Sequence, residues 1–164
     1  MPDGLIELIF LQVPDGKVES LVCELVQNAS IFELSHSELG NLDPKKSELG
    51  IISLFRNFEE PYAIFIRSDE IHVGEVQLQK PLIRIIRYEG LNEVAVLFDT
   101  LEIKLLSWDD FVDKLYMVAK RLAIQSETLV YCCGLEPGTD KDTQLFSSEG
   151  VGPLFRLGFG RAIG

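Results

Sequence analysis

The sequence predicts an α+β fold: a largely antiparallel, twisted sheet of six to eight strands with three helices packed mainly on one face. Three observations lead there. Residues 61–106 read as consecutive strands whose breaks are too short for parallel crossovers, which need a dozen residues or more, so they form a central meander. Two stretches, 17–29 and the segment starting at 107, carry apolar residues at helical spacing. The composition, 46% hydrophobic and 25% charged over 164 residues, is that of a globular domain able to bury a core without staples.

Residues 5–13 are apolar except for Glu7 and Gln12. Such a run suits a strand buried on both faces near the sheet centre. Pro14, Asp15 and Gly16 form a turn. A helix over 17–29 places Val18, Leu21, Val22, Leu25, Val26 and Ala29 on one stripe, with Asp15 or Gly16 as its cap. Residues 30–34 form a short strand, and 35–43 a polar connection. Asp43-Pro44 reads as an N-cap followed by a first-turn proline, opening a second helix over 44–58.

In the meander, residues 62–67 are aromatic and β-branched. Ile71 and Val73 alternate in one phase and Val76 and Leu78 in the other, so Gly74 marks a bulge. Residues 82–89 and 93–99 are joined by a Gly90-containing hairpin connection, and residues 101–105 alternate cleanly. Ser107 is a good N-cap, with Asp109 and Asp110 where the helix dipole favours negative charge. Phe111, Val112, Leu115, Val118, Ala119 and Leu122 form the buried stripe of this third helix; Asp113, Met117, Lys120 and Ile124 lie on its outer side. Residues 128–134 form a strand in which Cys132 and Cys133 point to opposite faces. A polar loop over 135–150 follows. The domain is expected to span 1–150, with 151–164 a glycine-rich tail either packed on it or disordered.

The chain lacks the familiar catalytic and cofactor motifs. GxxxxGK[ST], GxSxG and HExxH are missing, and Gly158 and Gly160 precede no helix that could complete a phosphate loop. Asp140 and Asp142 start like a calcium loop without its later ligands. No Cys or His cluster has metal spacing, so neither cofactor nor metal is expected. Three cysteines, an odd number, speak against a secreted disulfide scaffold and for the cytoplasm. No apolar run approaches the roughly 18 residues of a membrane span.

Charge is the distinctive feature. Acids outnumber bases 26 to 15, for a net charge of −11. Such a surface repels nucleic acid and anionic lipid and attracts basic partners. Residues 1–43 hold eight acids against Lys17 alone, a net of −7. Candidate partner-binding residues are therefore Glu24, Glu33, Glu38 and Asp43, together with Asp113 and Met117 on the outer side of the third helix.

A single acidic α+β domain without a catalytic constellation resembles the immunity proteins of bacterial toxin systems. The resemblance implies a non-enzymatic cytoplasmic protein, a monomer or weak dimer. It would bind and neutralise a basic protein toxin, its acidic side chains steering association and occluding the toxin's active site. Two other readings stay open. A chaperone or adaptor for a secreted effector would be a dimer exposing an apolar groove near Met117 and Ile124. A small enzyme would assemble its site from dispersed residues such as Cys23, His36 or His72.

Overall fold

A computed structural model describes residues 4–44, 61–100 and 107–157. The expected helix over 44–58, the strand over 101–105 and the end of the tail lie outside these residues, apart from Pro44. The observed class is α+β, with an antiparallel sheet at its centre.

Strand β1 (Leu5–Val13) is followed by α1 (Asp15–Leu25), β2 (Ile31–His36), β3 (Gly40–Leu42) and β4 (Tyr62–Ser68). Next come β5 (Glu70–Val73), β6 (Val76–Gln79), β7 (Leu82–Tyr88) and β8 (Leu91–Asp99). The chain then forms α2 (Trp108–Gln125), β9 (Val130–Leu135), a short 3-10 turn (Lys141–Thr143), β10 (Gln144–Ser147), β11 (Gly150–Val151) and α3 (Pro153–Leu157). Among the described residues, nine strands form one sheet in the order β11-β10-β9-β1-β8-β7-β4-β2-β3, and β5 with β6 forms a separate ribbon. Every pairing among the described strands is antiparallel.

The apolar run of β1 lies between β8 and β9, as its two-sided burial requires. Ile6, Leu8 and Phe10 face a core shared with Val94, Val96 and Phe98 of β8 and with the buried stripes of α1 and α2. Ile9, Ala95, Leu97 and Cys132 form a smaller cluster on the opposite face. Cys133 belongs to the first cluster and Cys132 to the second, as their adjacency in a strand dictates.

Helix α2 starts where its caps predict: the Ser107 side chain accepts a hydrogen bond from the Asp110 amide. Helix α1 is shorter than expected. It ends at Leu25, and Asn28 adopts a left-handed conformation at φ 61°, which asparagine tolerates better than most residues. Its cap is Pro14 rather than Asp15 or Gly16. The Asp15 carboxylate accepts hydrogen bonds from Arg87 and from Asn92 instead. These bonds, Arg87's first, hold its pKa below the usual carboxylate value.

Four local expectations are corrected by the strand pairing. Gly74 is a hairpin turn rather than a bulge: with φ 61° it lets β5 fold directly onto β6, pairing Val73 with Val76 and Ile71 with Leu78. That ribbon leaves the main sheet and packs against both α1 and α2. The β7–β8 turn consists of Glu89 and Gly90, at φ 50° and 75°, so Leu91 and Asn92 already belong to β8. The expected polar connection after residue 34 is a hairpin, since β2 continues to His36 and pairs with β3. The segment after 135 likewise holds β10, which pairs with β9, and the sheet continues into Val151.

Candidate partner-binding surface

The six residues singled out from sequence separate into two surfaces. Glu33, Glu38 and Asp43 belong to the β2–β3 hairpin at one end of the sheet. All three are exposed. Glu33 pairs with Arg67 of β4 at 3.4 Å, both side chains being about half exposed (54% and 47%). The hairpin is anchored from beneath. The Ser37 amide donates to the Ala63 carbonyl, and the Ala63 amide donates to Ser37 Oγ, both at 2.9 Å. The His36 ring, 2% exposed, stacks on Tyr62 at 5.3 Å, and its Nδ1 accepts the Glu38 amide at 3.0 Å. Phe32 and Leu39 are also exposed on this hairpin.

Burial lowers the His36 pKa below its ordinary 6.5, against a smaller opposing effect of the Glu38 charge. The neutral ring is thus favoured in the folded state, while the unfolded chain takes up the proton first. This contribution to stability is full above pH 6.5 and declines as pH falls below it. Urea unfolding between pH 7.5 and 5 is expected to show a steeper loss for the wild type than for His36→Phe, which keeps the ring stack. Equal slopes would refute the assignment.

The second surface is the outer side of α2. Asp113, Met117, Lys120 and Ile124 recur there at helical spacing, and all are exposed. An open groove of about 460 Å³ runs between α2 and the turn of the β5–β6 ribbon, lined by Gly74, Glu75, Asp113, Lys114, Met117 and Arg121. Gly74 sets its floor: a Cβ there would lie 3.0 Å from Val118 Cγ2. A second groove of about 480 Å³ lies toward the end of the helix and includes Lys120, Ile124, Glu127, Leu129 and Tyr131.

Glu24 reaches this surface only indirectly. Its carboxylate pairs with Arg121, tying α1 to α2 beside the first groove. Sequence reading missed Leu129, the most exposed of the large hydrophobic residues described; as the residue just before β9 it looks like an ordinary strand position.

The candidate catalytic residues lie on separate elements. Cys23 is on α1, its thiol pKa raised by burial and by the nearby Glu19 charge. His36 is packed beneath the acidic hairpin, and the exposed His72 contacts Glu70 across 2.7 Å on the ribbon. Among the described residues, no group of three or more His, Cys, Asp or Glu side chains could hold a metal ion. No described helix is long and apolar enough to cross a membrane.

No curated protein matches the sequence. The fold is similar to that of a chain in the crystal structure of the toxic C-terminal tip of CdiA from Pseudomonas aeruginosa in complex with immune protein. The two chains are 24% identical and superpose with a TM-score of 0.76, covering 93% of this chain and 99% of the other. At that identity the likeness establishes a shared fold. Residues 4–151 match the family described as PABL017 Cdi1I immunity protein, nearly the whole of the described fold. The resemblance expected from the charge and the missing catalytic groups is therefore borne out in kind, and the chain belongs to this immunity protein family.

Proposed function

We propose that this chain, folded as one domain in the cytoplasm, neutralises a cognate protein toxin by binding a basic face of that toxin, as a monomer or weak dimer. The immunity family carries the reading and decides against the effector-chaperone and enzyme alternatives. The net charge of −11 and the exposed carboxylates of Glu33, Glu38 and Asp43 on one hairpin give it a physical route. Charges displayed at the edge of a molecule mainly accelerate encounter with an oppositely charged partner, and salt screens that effect.

The test uses the cognate toxin domain. The triple variant E33K/E38K/D43K changes the charge by +6, and the association rate is expected to fall about tenfold or more at low salt, with a shallower salt dependence. Stopped-flow association across a salt series measures both. An unchanged rate and salt slope would remove the acidic hairpin from the mechanism.

A further inference from the structure

The three most exposed large hydrophobic residues described are Leu129 at 87%, Ile124 at 79% and Met117 at 67%. All fall within one stretch of thirteen residues, along the outer side of α2 and the turn that follows it. Met117 borders the first groove, and Ile124 and Leu129 border the second, so the apolar positions bridge two concavities. Isolated apolar residues on a surface are ordinary, but three in succession along one side of a helix and its following turn, each bordering a groove, mark an interaction site.

The surrounding charges select the occupant. Each base along α2 is engaged within the chain: Lys114 with Glu75 at 3.3 Å, Arg121 with Glu24, and Lys120 over the Tyr116 ring at 4.0 Å. Asp110 and Asp113 near one end of the row and Glu127 at the other are exposed and form no ion pair among the described residues. An apolar centre flanked by carboxylates fits a segment that presents apolar side chains between basic ones. Anionic lipid and nucleic acid phosphate would meet the same carboxylates unfavourably.

We infer that the outer face of α2, centred on Met117, Ile124 and Leu129, is the anchoring surface for the toxin, and that the toxin fills it with an apolar segment flanked by basic residues. This rests on the toxin-neutralising reading and assigns its binding energy to a face other than the acidic hairpin. Truncation-sensitive contacts concentrate where apolar side chains are fully desolvated at the interface centre, whereas rim charges govern the rate of encounter. Methionine suits such a centre, because its unbranched side chain adapts to the partner's shape.

The experiment measures binding of the cognate toxin domain to the wild type, to M117E/I124E/L129E and to E33K/E38K/D43K. The glutamate variant is expected to bind at least 100-fold more weakly, mainly through faster dissociation, while the hairpin variant changes mainly the association rate. All three substituted side chains are largely exposed, so the glutamate variant is expected to keep the wild-type circular dichroism and unfolding midpoint. Hydroxyl-radical footprinting on the wild-type protein supplies a readout independent of any substitution: Met117 oxidation is expected to fall at least fivefold in the complex. A wild type that binds the toxin, with the glutamate variant within threefold of it and Met117 oxidation unchanged, overturns the α2 assignment and leaves the immunity reading standing. A homodimer dissolved by the glutamate substitutions at unchanged toxin affinity also overturns it, giving the face to a second copy. A wild type that neither binds nor neutralises the toxin overturns both.

Discussion

Replacing Glu7 with alanine is expected to destabilise the fold by about 3 kcal/mol, toward the lower end of the range for breaking a buried ion pair. Glu7 is 3% exposed in β1, a strand paired on both sides near the middle of the sheet. One carboxylate oxygen accepts from Arg84 Nη2 at 2.8 Å, and the other accepts from the Gly138 amide at 3.0 Å. Alanine leaves a mostly buried guanidinium without its partner and a buried amide without its acceptor. Arg84 keeps some solvent access, its side chain being 24% exposed, which moderates the loss. Combining Glu7→Ala with Arg84→Met is expected to recover part of it, because the stranded charge is then gone. Urea unfolding of the two single variants and the double variant measures the coupling. A Glu7→Ala protein within about 0.5 kcal/mol of wild type, the usual range for featureless surface sites, would refute the buried-pair account.

That pair also shows where sequence reading stops. Glu7 was visible as a polar interruption in an apolar strand, but Arg84 lies 77 residues away and only strand order brings the two together. What was legible is what local rules control. Two-sided burial put β1 inside the sheet; Ser107, Asp109 and Asp110 fixed the start of α2; and the 3.6-residue period separated the buried stripe of α2 from Asp113, Met117 and Ile124. The ribbon of β5 and β6 was not legible as a ribbon, since Ile71, Val73, Val76 and Leu78 would alternate in the same way inside the main sheet. Its position over α1 and α2 creates the first groove, so that groove was hidden too. Strands β10 and β11 were concealed in a polar segment, because short strands at or near a sheet edge depend on their neighbours more than on their own composition. On the acidic side, Glu38 and Asp43 fall in a segment legible as a polar connection, with Glu33 in the strand beside it. The engagement of Glu24 with Arg121, 97 residues away, did not.

Phe146→Ala is expected to cost about 4 kcal/mol, the middle of the range for removing a buried phenylalanine. The Phe146 ring is fully buried, stacked on Tyr116 of α2 with centroids 4.6 Å apart, and it meets Tyr131 of β9 edge-on at 6.5 Å. Tyr116 also touches Phe155 of α3 and lies beneath Lys120. The ring therefore joins β10, the strand next to the sheet edge, to the helix that presents Met117 and Ile124. Removing it leaves a cavity between β10 and α2, and for a chain of this size the cost corresponds to a fall of about 8–16 °C in melting temperature. The folded fraction should retain most of its toxin affinity, because no outward-facing atom is lost, so affinity is expected to fall less than tenfold while the melting temperature drops. Phe146→Leu, which refills much of the space, is expected to restore roughly half of the stability. Calorimetry together with toxin titration separates the two effects. A large affinity loss without a drop in melting temperature would mean that Phe146 acts on the toxin rather than on the seat of α2.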